Sequence, residues 1–172
     1  MYQYHPNYKS STDNSRLVMR YFREVKRYAI VDHTDDRQAQ RDGWDFMLQG
    51  SPTEFKECNR IHQTKNLVFE LVSNSRKATP GCMLTSKATF LCYYDTKQHI
   101  VHLLNLPKLK GAIECASQAK WDAYKVTTPV PGGTDVAYAT FGLLVPLRFL
   151  DESHLWHPTY HIADFIRNIR EH

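Results

Sequence analysis

The chain has few cysteines and no long apolar run, and each shortage excludes a class of protein. Four cysteines in 172 residues (Cys58, Cys82, Cys92, Cys115) form no C-x-x-C pair and make no disulfide scaffold, so free thiols are expected. No apolar run approaches the ~20 residues that a membrane-spanning helix needs. The opening Met1-Tyr-Gln-Tyr-His-Pro also lacks the basic-then-apolar layout of a secretion signal. The expectation is a soluble, cytoplasmic chain with no membrane partner. Neither an internal repeat nor a low-complexity tract is present. What is there is ordinary for a folded domain: 42% hydrophobic and 23% charged residues, in a length that suits one core. The 22 Lys plus Arg exceed the 18 Asp plus Glu, and a net charge of +4 tilts the choice of partner toward a polyanion such as nucleic acid.

Residues 1–14, polar and rich in Tyr, Asn and Ser, read as a flexible arm before a single domain over 15–172. From Leu17 the apolar residues Leu17, Val18, Tyr21, Phe22, Val25, Tyr28 and Ala29 recur at helical spacing. With possible caps at Asp13, Asn14 or Ser15, they predict a helix over 14–29. Arg16, Arg20, Arg23 and Arg27 form a stripe on it, with Glu24 between the stripe and the apolar face. After a polar, turn-like stretch over 32–41, strands are expected over 44–49 and 53–58, split by Gly50-Ser51-Pro52. Further strands are expected at 66–72, 87–94, 99–106 and 139–150. A stretch rich in helix formers spans 107–124, a Pro/Gly loop 127–135, and a closing helix carries Ile162, Phe165, Ile166 and Ile169. The fold class is α/β, a mixed central sheet flanked by helices.

Alternation in the hairpin carries the chemistry. Burying Trp44, Phe46, Leu48 and Phe55 on one face turns Asp45, Glu54 and Lys56 to the other. The expected register pairs Asp45 with Lys56 and Met47 with Glu54 around a four-residue loop. The alternative, Asp45 opposite Glu54, places Pro52 in the ladder without an N–H to donate. Two adjacent carboxylates repel, and one takes up a proton unless a cation relieves them. Their hard oxygens suit Mg²⁺, with Mn²⁺ as substitute, and a nearby ammonium can orient water or stabilise phosphate charge. This is the chemistry of phosphodiester hydrolysis.

The pattern Asp45-x8-Glu54-Phe55-Lys56 resembles the hallmark of the PD-(D/E)XK nuclease superfamily, with the restriction-endonuclease-like fold. Glu24 looks like the glutamate that the superfamily often adds on the preceding helix. Small resolvase-type archaeal and phage nucleases offer further likenesses, in Gln40-Arg41, Asn66 to Glu70, Gly81 and Ser86-Lys87-Ala88. Trp44 replaces the motif's proline, and Thr89 stands where an acidic residue is expected, so that position should carry no catalytic role. The resemblance covers about residues 15–105 and implies a Mg²⁺-dependent DNA endonuclease, acting on duplex or branched DNA as a homodimer. Asp45, Glu54, the Phe55 carbonyl and Glu24 would hold the metal, and Lys56 would assist the water. Arg16, Arg20, Arg23, Arg27 and Lys87 would contact phosphates. A sequence-reading restriction or homing endonuclease and a non-cleaving DNA-binding module are the alternatives.

Other groups point elsewhere more weakly. His154-x2-His157-x3-His161 and His99-x2-His102 suggest zinc, yet no cysteine lies at partner spacing. Cys58 shares a strand face with Lys56, but no base is indicated beside it, so a small strand residue is expected. Tyr2, Tyr4 and Tyr8 could stack on bases.

Overall fold

A computed structural model of the chain describes residues 6–115, 125–132, 135–152, 155 and 159–170. The alternating strand pattern becomes a six-stranded mixed sheet and a four-stranded antiparallel sheet. In the first, β1 (Ile30–Asp32), β2 (Phe46–Leu48) and β3 (Ser51–Cys58) form an antiparallel meander. Next comes β6 (Phe90–Asp95), parallel to β3, then β7 (Ile100–Asn105) and β10 (Thr159–His161), both antiparallel to their neighbours. The second sheet runs β5 (Thr79–Pro80), β4 (Asn66–Asn74), β9 (Asp135–Pro146), β8 (Lys125–Gly132). The helices are α1 (Pro6–Glu24), α2 (Arg37–Asp42), α3 (Ile61–Thr64), α4 (Cys82–Thr85), α5 (Leu106–Cys115), α6 (Leu147–Glu152) and α7 (Ala163–Arg170). No described helix is long and apolar enough to cross a membrane.

Each face of the mixed sheet has its own core, because side chains alternate along a strand. Phe46, Leu48, Phe55, Cys92, Tyr94, Val101 and Leu103 point to the face covered by Val18, Met19, Tyr21 and Phe22 of α1 and Ile166 of α7. Leu91, Tyr93 and Leu104 point the other way, onto Leu67 and Phe69 of β4, Leu143 and Val145 of β9, and Leu109 of α5. The four cysteines are free thiols, as expected.

The elements differ from expectation where local chemistry was ambiguous. The first helix begins at Pro6, inside the stretch expected as an arm, and stops at Glu24, while residues 1–5 of that stretch lie outside the described residues. Proline suits a first turn, where its missing N–H has no partner to lose, and a polar stretch continues a helix that the apolar face anchors further on. Past Glu24 the chain turns through Arg27 at φ 59, so Arg27 is off the helix and off the arginine stripe. The loop expected over 127–135 belongs mostly to the β8–β9 hairpin, where Pro129 lies opposite Ala139. The hairpin tolerates two prolines because β8 is the sheet's edge, with one side unpaired. The second half of the 107–124 stretch lies outside the described residues.

His102, on β7, is buried, and burial pushes its imidazole from 6.5 down to about 4, past the opposing pull of Asp95 and with help from His161. The unfolded chain therefore takes this proton first as pH falls. The sign follows: the group's contribution to stability is intact above pH 6.5 and is lost as pH drops toward 4, at a cost on the order of 3 kcal/mol across the window. Denaturant unfolding at neutral pH and near pH 4 should show a flatter pH dependence for His102→Gln than for the wild type. Equal slopes would refute the assignment.

Candidate active site

The site begins with a turn. Gln49 and Gly50 both adopt positive φ, 51° and 77°, so β2 and β3 are joined by a two-residue turn of the type that matches strand twist. That turn sets the register as Leu48 with Ser51, Met47 with Pro52 and Phe46 with Thr53. The four-residue loop and the Asp45–Lys56 pairing expected from the sequence are corrected accordingly. Pro52 is accommodated because, in such a hairpin, the closing Leu48/Ser51 pair is the hydrogen-bonded one and the next is not. The Pro52 carbonyl is still used, accepting from Thr89 N–H at 2.8 Å.

One residue further, β2 leaves β3. The Asp45 N–H donates to Thr53 O at 2.9 Å, although Thr53 already faces Phe46, so two residues oppose one and the strand kinks. Trp44 swings away, its N–H donating to Ala39 O of α2 at 3.1 Å. Its indole packs against the core of the opposite face and edge-on to His33, at 4.8 Å between centroids. Trp44 was expected beside Phe46 and Phe55, and the kink explains the reversal. In the gap, the Asp45 carboxylate takes the place of the missing strand. Oδ2 accepts from Phe55 N–H at 2.7 Å and Oδ1 from Gln40 Nε2 at 3.0 Å.

Glu54 and Lys56 project from the face opposite Phe55, as alternation requires. Glu54 is buried and its Oε1 lies 2.5 Å from Lys56 Nζ, whose side chain remains about one-third exposed. Burial pushes the Glu54 carboxyl above the usual range; Lys56 opposes that shift, and the charges of Asp45 and Glu70 reinforce it. For Lys56, burial pulls the ammonium down, but the charges of Glu54 and Asp45 outweigh it and hold it protonated. Cys82, at the start of α4, feels the same field. Burial raises its thiol, so it stands as a neutral group and no nucleophile. Lys110 of α5 donates to Ser86 O at 2.8 Å, and burial lowers its ammonium against the opposing charges of Glu114 and Glu54.

The residues carried by the resemblance divide in two. Gln40 orients Asp45. Ser86 Oγ donates to Gly43 O at 2.5 Å, Lys87 N–H to Asp42 O at 2.8 Å, and Lys87 Nζ pairs with Asp42 at 2.6 Å. Ser86-Lys87-Ala88 is thus a clamp on the turn between α2 and Asp45, and Lys87 spends its charge within the chain. Glu70 joins the acidic group through its field. Glu24 does not. It lies on α1, over the Phe55 face, and pairs with Arg20 Nε at 2.7 Å. Of the arginine stripe, Arg16 is held by Asp32 and Asp35, and Arg23 donates to Ile30 O. Lys110 carried no sequence signal, because only the packing of α5 brings it near. His154 and His157 lie outside the described residues.

The donor chemistry fits Mg²⁺ or Mn²⁺. Asp45 and Glu54 offer hard oxygens within range of each other's charge, and the Glu54 carboxyl, raised by burial and then by Asp45 and Glu70, is one that a cation would relieve. Among the described residues, no group of three His, Cys, Asp or Glu is disposed to hold a metal ion. An ion at Asp45 and Glu54 would therefore complete its shell with backbone carbonyl and water. No family model, curated protein or solved structure matches the chain.

Proposed function

We propose that this chain is a Mg²⁺-dependent DNA endonuclease with a restriction-endonuclease-like fold of the PD-(D/E)XK type. One observation carries the reading: Asp45, Glu54 and Lys56 converge where β2 splays from β3, and the fields of Asp45 and Glu54 both act on the protonated Lys56. A divalent ion bound there would polarise a phosphate oxygen and supply an activated water. The chain's own residues do the rest. Phe55 N–H and Gln40 fix the Asp45 carboxylate, so both its oxygens are oriented before substrate arrives. Burial keeps Glu54 dry and strengthens its interactions with charge. Lys56, held protonated, is placed to stabilise negative charge as the phosphodiester is displaced. Each chain offers one such site, so cutting both strands calls for a homodimer.

A non-cleaving DNA-binding module is favoured by a different observation, the lack of a third ligating side chain among the described residues. Incubating the protein with Mg²⁺ or Mn²⁺ and a four-way junction, a linear duplex or a single strand separates the two. Metal-dependent cleavage that falls by ~10²–10³ in Asp45→Asn and in Lys56→Met, with DNA binding retained, is the expected result. Binding of DNA with no cleavage of any substrate would establish the module instead. Preference for the junction would mark a resolvase, and one fixed site in duplex a sequence-reading enzyme.

A further inference from the structure

We propose that the groove over α2, walled by Arg37 and Arg41, seats the phosphates of the DNA strand delivered to Asp45. The inference rests on the nuclease reading and moves the DNA track from α1, where the sequence placed it, to α2. The groove is an open surface cleft lined by Thr34, Asp35, Arg37, Gln40 and Arg41. Gln40 belongs to the groove and to the site at once, since its amide donates to Asp45 Oδ1 at 3.0 Å. A strand lying in the cleft therefore reaches the carboxylates without crossing the sheet.

Charge pairing around the groove leaves its two arginines as the available cations. Asp32 and Asp35 are engaged by Arg16, Asp42 by Lys87, and Asp36 by His33 and by the N–H groups of Gln38 and Ala39. Arg41 donates to the neutral amide of Gln38 at 2.9 Å and reaches Asp42, already paired with Lys87, through its field, and Arg37 has no ion pair or hydrogen bond among the described residues. Four residues apart on one helix, they share a face. Because Asp36 already fills the end of α2, an anion would be met by side chains. On the α1 side, the charges of Arg16 and Arg20 are committed to Asp32, Asp35 and Glu24, and Arg23, which donates to Ile30 O, and Arg27, past the helix end, are not among the residues that line the groove.

Fluorescence anisotropy of a short labelled duplex, titrated with salt in Ca²⁺, reads the number of phosphates neutralised independently of cleavage. For Arg37→Ala/Arg41→Ala the slope of log K against log salt should fall by roughly 2, with affinity at low salt down roughly 10–100-fold. Arg37→Lys/Arg41→Lys should restore most of the slope, which separates lost charge from lost fold. Arg23→Ala/Arg27→Ala should keep the wild-type slope. An unchanged slope in the α2 double variant, or a slope lost in the α1 variant, would overturn the proposal. If the wild type cleaves while the α2 variant keeps its slope, only this inference falls. If the wild type binds through α2 yet cleaves nothing, the groove stands and the nuclease reading falls. If it binds no DNA, both fall.

Discussion

Glu54→Gln is expected to abolish the proposed cleavage, by ~10³-fold or more, while making the metal-free protein more stable. The two effects have one cause. Burial, together with the charges of Asp45 and Glu70, lifts the Glu54 carboxyl above its ordinary value even with Lys56 beside it. The folded state thus holds this proton more tightly than the unfolded chain does. A group raised in this way contributes stability that is fully present below about 4.5 and is lost as pH rises through the folded value. At neutral pH the wild type carries that cost, whereas an amide of the same shape carries none. Thermal melts in EDTA at pH 7–8 should therefore place Glu54→Gln at or above the wild type. Added Mn²⁺ should raise the wild-type melting temperature and leave the variant unmoved, because ligand binding stabilises only a state that binds it. A metal-free variant clearly less stable than the wild type would mean that the Glu54–Lys56 pair is a net support and the strain argument is wrong.

Gly81→Ala should be among the most damaging small substitutions in the chain. Gly81 N–H donates to Leu71 O at 2.8 Å, which draws α4 against β4. A Cβ at Gly81 would stand 2.4 Å from Glu70 O and 2.5 Å from Glu70 C, both backbone atoms that cannot rotate aside. Relief requires β4 and the start of α4 to part, at a cost of about 3 kcal/mol. The movement would carry Glu70 and Cys82 with it, so cleavage should fall further than stability alone explains. Gly111 is the control. It lies in α5, a Cβ there meets nothing within 4 Å, and Gly111→Ala should stabilise by about 0.5–1 kcal/mol. Urea unfolding of both variants tests the pair, and Gly81→Ala within about 0.5 kcal/mol of the wild type would refute the close-approach argument.

Strand parity was legible from the residues alone. Phe55 between Glu54 and Lys56 has to divide apolar from charged, and it does, because successive side chains leave a strand on opposite faces whatever its partners. The apolar stripe of Val18, Tyr21 and Phe22 likewise finds its core through helical spacing. Most of the elements missed were short, β1 with three residues and α2 with six, too brief for any periodicity to register, whereas the eight-residue β8 was hidden by Pro129 and Pro131, which read as a loop. The register was misjudged because Pro52 counted against it for want of an N–H, whereas the two-residue turn at Gln49 and Gly50 places Pro52 in a pair that needs none.

What the amino-acid order determined by itself was therefore periodic: which side chains share a face, and hence that a carboxylate and an ammonium would stand together on β3. Only the tertiary structure decided which groups would meet them. A kink freed Asp45 to reach Phe55 N–H, the packing of α1 on the Phe55 face kept Glu24 away, and β4, α4 and α5 brought Glu70, Cys82 and Lys110 from remote parts of the chain. The physical reason is range. Alternation and helical pitch act between residues a few positions apart, whereas fields, clashes and hydrogen bonds at the site depend on distances that exist only once the layers are packed.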